Sequence, residues 1–152
     1  VRNLVEILAS FEKLYRRQDG YFDTNDKTNF PEKFNTLEGR LELWSSNGGP
    51  LGSSLLGMNQ LGYKIDNVMF VDFDYLTTHP EVAMKEVYKF IEEEYYEHDF
   101  SNVEQTSHEN DLFHGMLHLH DIRKEVKPLK KDAKEILGEV LCEKYKGGEF
   151  WK

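Results

Sequence analysis

Residues 68–76 read VMFVDFDYL, and the fold class predicted for this chain depends on them. The run from Val68 to Phe73 is short, mostly apolar and rich in β-branched and aromatic residues, which is typical of a buried strand. The backbone amides and carbonyls of such a strand need neighbouring strands on both edges. Because no other segment has a comparable pattern, we expect these neighbours to come from sequence that precedes Val1.

The segments around this run have the periodicity of amphipathic helices. Thr78 and Glu81 have the spacing of a capping box, and Pro80 falls in the first turn of the helix that they begin. Four further helices are predicted over residues 4–17, 31–44, 51–61 and 129–141. The positions expected on the buried faces of the helix after Pro80 and of the last helix are Ala83, Val87, Phe90, Ile91, Leu129, Ala133, Ile136, Leu137, Val140 and Leu141.

One strand among five helices predicts the α/β class, with a parallel sheet flanked by helices. In this fold the chain is the mostly helical, C-terminal part with one clear strand. At 152 residues the chain is long enough for one domain with its own core and too short for two. We therefore predict that residues 1–152 belong to a single domain.

Charge and cysteine content restrict the classes of partner. The chain has 19 Lys and Arg against 28 Asp and Glu, a net charge of −9, which disfavours nucleic acid but leaves room for a small phosphorylated ligand. The single cysteine, Cys142, excludes an internal disulfide and a thiolate zinc cluster and fits a reducing compartment. No apolar run approaches the ~20 residues of a membrane span, and we expect a cytoplasmic protein.

The opening VRNLVEILASFEKLY, residues 1–15, places Arg2 just before the first helix and Ser10 eight residues later. On an ideal α-helix this spacing advances ~12 Å, so a long guanidinium reaching forward can meet the serine hydroxyl around one anion. Arginine suits phosphate because its fork donates two parallel, charge-assisted hydrogen bonds. The spacing alone fits a surface arginine and an ordinary mid-helix serine better.

The residues around Arg2 and Ser10 favour phosphate binding over an ordinary surface role for these two side chains. The opening resembles the V-R-(N/D)-P-x-(D/E)-x-x-x-S-(F/Y) segment of sulfotransferases that use 3′-phosphoadenosine 5′-phosphosulfate (PAPS), with Leu4 in place of the proline. In that family the arginine and serine hold the 3′-phosphate of the donor. The resemblance implies the same role for Arg2 and Ser10, and a nucleotide-binding fold like that of P-loop NTPases.

The resemblance continues in the same order along the chain. Residues 49–62, GPLGSSLLGMNQLG, are similar to the family's glycine- and serine-rich helix, and residues 68–91 are similar to its strand, E-D-L turn and following helix. Asp74 and Leu76 take the acidic and leucine positions. Phe73 stands where the family has a tyrosine near the adenine, which implies stacking on the base without the hydroxyl.

Two basic residues complete the implied donor site. The family closes its 3′-phosphate site with residues that often read R-K-G, and Arg123 and Lys124 are the nearest match, without the glycine. The resemblance implies transfer of a sulfuryl group from PAPS to a hydroxyl or amine acceptor, with 3′-phosphoadenosine 5′-phosphate (PAP) as product. The family's 5′-phosphosulfate loop and catalytic base precede the V-R-N segment, so we expect a C-terminal fragment that is inactive by itself.

The histidine-rich residues 108–121, HENDLFHGMLHLHD, support a different interpretation. His114 and His118 are four residues apart and share a face if the segment is helical, as zinc ligands do. A helical metal-binding module is therefore an alternative, although no H-E-x-x-H motif is present and the predicted site contains no metal. A non-catalytic binding module is a further alternative. The acceptor stays open among a carbohydrate, a lipid or small alcohol, and a protein tyrosine.

Overall fold

Helices make up the regular structure of the described part of this chain. The computed structural model describes residues 1–17, 32–62, 67–107, 109–111 and 119–148. These residues form α1 (Leu4–Arg16), a 3-10 helix (Glu32–Asn35), α2 (Leu37–Ser45), α3 (Pro50–Gly62), α4 (Phe73–Thr78), α5 (Pro80–Phe90), α6 (Ala133–Leu137) and α7 (Glu139–Tyr145).

The predicted α/β fold with a parallel sheet is wrong for the described part of the chain, which contains no strand. Residues 68–72 are extended, but Phe73 already begins α4. The reason is local, because the Asp72 carboxylate caps α4 by accepting the backbone N–H of Tyr75 at 2.9 Å. The sequence pattern of a buried strand therefore ends in a helix.

The backbone of Val1 lies beside this extended segment. Its backbone nitrogen donates to the carbonyl of Val71, and its carbonyl accepts the N–H of Phe73 at 2.7 Å. Val1 therefore bonds to both neighbours of Asp72, which is the hydrogen-bond pattern of a single bridge between parallel strands. A single bridge is not a β-sheet.

The described residues divide into two units. The α1 unit contains residues 3–17, 32–62, 67–68 and 132–148. The α5 unit contains residues 1–2, 69–107, 109–111 and 119–131. The assignment of all 152 residues to one domain stays a prediction.

The α1 unit is held by an apolar core between helices. Asn3 caps α1, since its side-chain oxygen accepts the N–H of Val5 at 3.0 Å and of Glu6 at 3.3 Å. The apolar stripe of α1 then packs against α2, α6 and α7. The buried core residues are Leu4, Val5, Leu8, Ala9, Leu41, Trp44, Leu51, Ala133, Leu137 and Cys142.

Two predicted helices of this unit differ in detail from the structure. The helix expected from Pro31 to Trp44 is a 3-10 turn followed by α2, with Thr36 capping α2 through the N–H of Gly39 at 3.1 Å; Pro31 lies outside the described residues. The single last helix is divided into α6 and α7 by Gly138, which has φ +80° and ψ 162°. Val140 follows this break and is 83% exposed instead of buried.

The α5 unit begins with two short helices that pack against each other. Thr77 of α4 and Ala83 of α5 are buried. The predicted capping box is wrong, because Thr78 is the last residue of α4 and the cap of α5 is His79, which makes no side-chain capping bond. Pro80 occupies the first turn as expected. Phe90 and Ile91, expected on the buried face, are 42% and 52% exposed.

The rest of the α5 unit is irregular chain joined by backbone hydrogen bonds. The N–H of Val103 donates to the carbonyl of Lys124 at 2.6 Å, and the N–H of Val126 donates to that of Phe100 at 2.9 Å. These bonds place residues 100–105 beside residues 120–126. Nowhere in the described ranges is a helix both long enough and apolar enough to cross a membrane.

Candidate functional site

Arg2 and Phe73, two of the five residues predicted to bind the donor, are in contact in the α5 unit. The guanidinium carbon of Arg2 lies over the ring of Phe73, 4.8 Å from the ring centroid. This is a cation–π contact, in which the ring quadrupole attracts the positive charge. Both residues are half-buried. The backbone bonds of Val1 to Val71 and Phe73 fix the chain on which Arg2 stands.

The contact gives Phe73 a role that the sequence did not suggest. A guanidinium that lies over a ring can still donate its N–H groups, which point outward in the plane of the group. A phosphate bound in that plane would therefore meet an arginine held in place by the ring. Stacking of Phe73 on adenine stays a prediction.

Ser10 belongs to the α1 unit. It lies within α1 and is half-buried, and its hydroxyl donates to the carbonyl of Glu6 at 2.9 Å. Serine often makes this bond to the preceding turn of a helix. The binding of one anion by Arg2 and Ser10 together stays a prediction from the sequence.

Arg123 and Lys124 are both exposed on the irregular chain of the α5 unit. Lys124 lines a cavity of about 410 Å³, together with Glu104, Gln105 and Ile122. A lysine at a cavity wall provides a positive point charge for a phosphate. Asp74, at the family's acidic position, is ion-paired with Lys131.

His120 is held between two carboxylates. Its Nδ1 lies 2.6 Å from Oδ1 of Asp111, and its Nε2 lies 3.6 Å from Oε2 of Glu109. The bond from His120 holds the pKa of Asp111 below its usual range. His108, His114 and His118 lie outside the described residues, and within the described ranges no cluster of His, Cys, Asp and Glu is suited to a metal ion.

Sequence reasoning missed the bond between Asp111 and His120 and a buried ion pair in the α1 unit. Arg40 donates to both carboxylate oxygens of Glu12, at 2.9 Å from Nε and 2.8 Å from Nη2. The Arg40 guanidinium also lies over the ring of Tyr15, 4.1 Å from its centroid. Nine positions separate Asp111 from His120 and 28 separate Glu12 from Arg40, spacings that no helical or strand period indicates.

Comparison of the chain with models of known protein families, with characterised proteins and with solved structures found no match.

Proposed function

We propose that this chain binds the 3′-phosphate and adenosine of PAPS and takes part in sulfuryl transfer to a hydroxyl or amine acceptor. The observation that carries the proposal is the contact of Arg2 with Phe73 at 4.8 Å. The sequence assigned both residues to the donor, although they lie 71 positions apart.

The chemistry of these groups suits a phosphate next to a base. Arginine binds phosphate through two parallel N–H groups, and its contact with an aromatic ring reduces the freedom that binding has to remove. Lys124, also predicted to bind this phosphate, lines a cavity of about 410 Å³, a volume in the range of small-molecule sites, roughly 300–1,000 Å³. Ser10 is a further predicted ligand of the same phosphate.

Sulfuryl transfer spreads charge over oxygen atoms while the nucleophile and leaving group stand in line. Catalysis is then mainly positioning and electrostatic stabilisation. In the proposed role, Arg2, Arg123 and Lys124 hold the 3′-phosphate and thereby position the donor.

The partners follow from this proposal. They are a small nucleotide and an acceptor, and the net charge of −9 argues against nucleic acid. We place the reaction in the cytoplasm, where the one cysteine, the buried Cys142, stays a thiol.

Phosphorus NMR of PAP with the 152-residue chain tests the proposal, because the two phosphates give separate signals. We expect the 3′-phosphate signal to shift saturably and further than the 5′-phosphate signal. The shift should weaken in Arg2→Ala and in the double variant Arg123→Ala, Lys124→Ala, and persist in Lys89→Ala, which removes an exposed cation of α5. No shift, or equal loss in the Lys89 control, would overturn the proposal.

A further inference from the structure

An aromatic cluster at the end of α5, in the α5 unit, contains an exposed ring. Tyr88 meets Tyr95 and Tyr96 edge to face, with 5.5 and 5.7 Å between the ring centroids. The ring of His98 lies 4.1 Å from that of Tyr96 and 5.7 Å from that of Phe100. Tyr96 is 62% exposed, whereas the other four residues are half-buried. The cluster therefore holds the Tyr96 ring in place and leaves it accessible to a ligand.

The backbone at the end of α5 brings these rings together. The N–H of Glu92 donates to the carbonyl of Lys89 at 3.4 Å. The N–H of Glu93 donates to the carbonyl of Tyr88 at 3.0 Å. These two bonds make the Schellman motif that ends many helices, and Glu92 takes its left-handed position with φ 59°. The chain turns back at this point, so that residues 95–98 pack on Tyr88.

Two apolar residues at the same turn are exposed as well. Phe90, the last residue of α5, is 42% exposed, and Ile91 is 52% exposed. Both lie within three positions of Tyr88, whose ring contacts that of Tyr96. Exposed apolar residues that lie close together are typical of protein–protein contact surfaces. These side chains therefore provide an apolar surface for a partner.

The charges around this turn favour a cationic partner. Residues 85–99 carry six exposed carboxylates and two exposed lysines, namely Glu86, Glu92, Glu93, Glu94, Glu97 and Asp99 against Lys85 and Lys89. The ammonium of Lys85 lies over the ring of Tyr95, 5.2 Å from its centroid, in a cation–π contact. One ring of the cluster thus already binds a cation of this chain. The exposed ring of Tyr96 offers the same chemistry to a cation of a partner.

We propose that this part of the α5 unit binds a basic peptide segment of another protein. We call it the Tyr96 surface, and it consists of Phe90, Ile91, Glu93, Tyr96 and Glu97. An arginine or lysine of the segment lies over the Tyr96 ring, and further basic side chains pair with Glu93 and Glu97. An apolar side chain of the segment covers Phe90 and Ile91.

Charge complementarity favours this partner over the alternatives. A second copy of this chain, in a two-fold contact, brings the same carboxylates together, and like charges there oppose association. A nucleic acid or an anionic membrane is repelled for the same reason. A polyamine matches the charge but has no apolar side chain to cover Phe90 and Ile91. Binding at the Tyr96 surface needs no nucleotide and does not depend on sulfuryl transfer.

Amide NMR of the ¹⁵N-labelled 152-residue chain tests the Tyr96 surface. The probe is a short synthetic peptide in which Arg and Leu alternate, and it should shift the signals of residues 90–97 saturably. Tyr96→Leu keeps an apolar side chain but removes the π face, so it should weaken binding by ~2–5-fold, the equivalent of one cation–π contact. Tyr96→Phe keeps the ring and should bind the peptide as the unaltered chain does.

The carboxylates are tested with two matched double variants. Glu93→Gln with Glu97→Gln should weaken binding of the peptide several-fold, because it removes the two carboxylates assigned to the Tyr96 surface. Glu104→Gln with Glu125→Gln removes two exposed carboxylates of the same unit and makes the same change in net charge. This control should change the affinity little.

Two further probes separate the Tyr96 surface from general attraction between opposite charges. A peptide with Gln in place of Arg, and spermine, which has the charge without apolar side chains, should both bind several-fold more weakly than the Arg peptide. Equally tight binding of spermine, equal losses in the two double variants, or unchanged binding by Tyr96→Leu would overturn the proposal. Signals of residues 90–97 that shift with protein concentration in the absence of peptide would identify a second copy as the occupant and overturn it as well.

Discussion

The guanidinium of Arg2 lies over the ring of Phe73, with 4.8 Å between its carbon and the ring centroid. This contact joins the start of the chain to the first residue of α4, and the backbone bonds of Val1 support it from the adjacent position. It gives the proposed phosphate-binding arginine a fixed support.

Removing the π face should therefore weaken nucleotide binding. Phe73→Leu keeps an apolar side chain but loses a cation–π contact of about 0.5–1 kcal/mol, so we expect the Kd for PAP to rise by ~2–5-fold. Isothermal titration calorimetry measures this change. Phe70→Leu is the matched control, because Phe70 is 38% exposed on the same extended segment. An equal loss in both variants would contradict the assigned role of Phe73.

The ion pair of Glu12 with Arg40 should dominate the stability of the α1 unit. The Glu12 side chain is fully buried and that of Arg40 is 9% exposed, so Glu12→Gln leaves a buried guanidinium without its counter-charge. We expect a loss of ~3–5 kcal/mol in the free energy of unfolding, measured with urea. Glu42→Gln, in an exposed pair with Lys33 at 3.5 Å, should cost at most about 1 kcal/mol. Similar costs for the two variants would contradict this account.

Local sequence signals predicted the elements whose formation depends on those signals alone. The apolar spacing of Leu4, Val5 and Leu8 indicated α1, and the core does contain these side chains. These features follow from the helical period, which is visible in any stretch of about ten residues.

Other features depend on contacts that a local pattern does not contain. The run at 68–73 has the composition of a strand, but the Asp72 cap turns Phe73 into the start of α4. The period of the last helix passes through Gly138 without revealing the break there. Of the candidate site, the sequence supplied Arg2 and Phe73 through a resemblance, whereas their contact and the bond of Asp111 to His120 emerged from the structure.

Gly138 should be intolerant of a side chain for conformational reasons alone. No atom lies within 4 Å of a Cβ added there, yet its φ of +80° and ψ of 162° belong to a region that L-residues avoid. Gly138→Ala should lower the free energy of unfolding by ~1–3 kcal/mol. The same change at Gly57, within α3 and with equally open surroundings, should instead raise it by up to about 1 kcal/mol. Urea unfolding of both variants checks the opposite signs.

Asp111 should stabilise the fold in a pH-dependent way. The bond from His120 lowers the pKa of Asp111 in the folded protein. The contribution of Asp111 to the free energy of unfolding is therefore complete above its pKa in the unfolded chain, about 3.9, and is lost as the pH falls through its pKa in the folded protein. The carboxyl carbon signal of Asp111, followed by NMR, should titrate below the ordinary range. His120→Asn should move that midpoint upward. An unchanged midpoint in the variant would assign the shift to another group.

In the proposed function Arg2 binds the 3′-phosphate of the donor, and calorimetry with PAP and AMP tests this role. The two nucleotides differ only in that phosphate. We predict that PAP binds more tightly than AMP. In Arg2→Ala the affinity for PAP should fall by ~10–100-fold, the contribution of a hydrogen bond to a charged group, while the affinity for AMP should change little. Equal losses for the two nucleotides, or no preference for PAP in the unaltered chain, would contradict it.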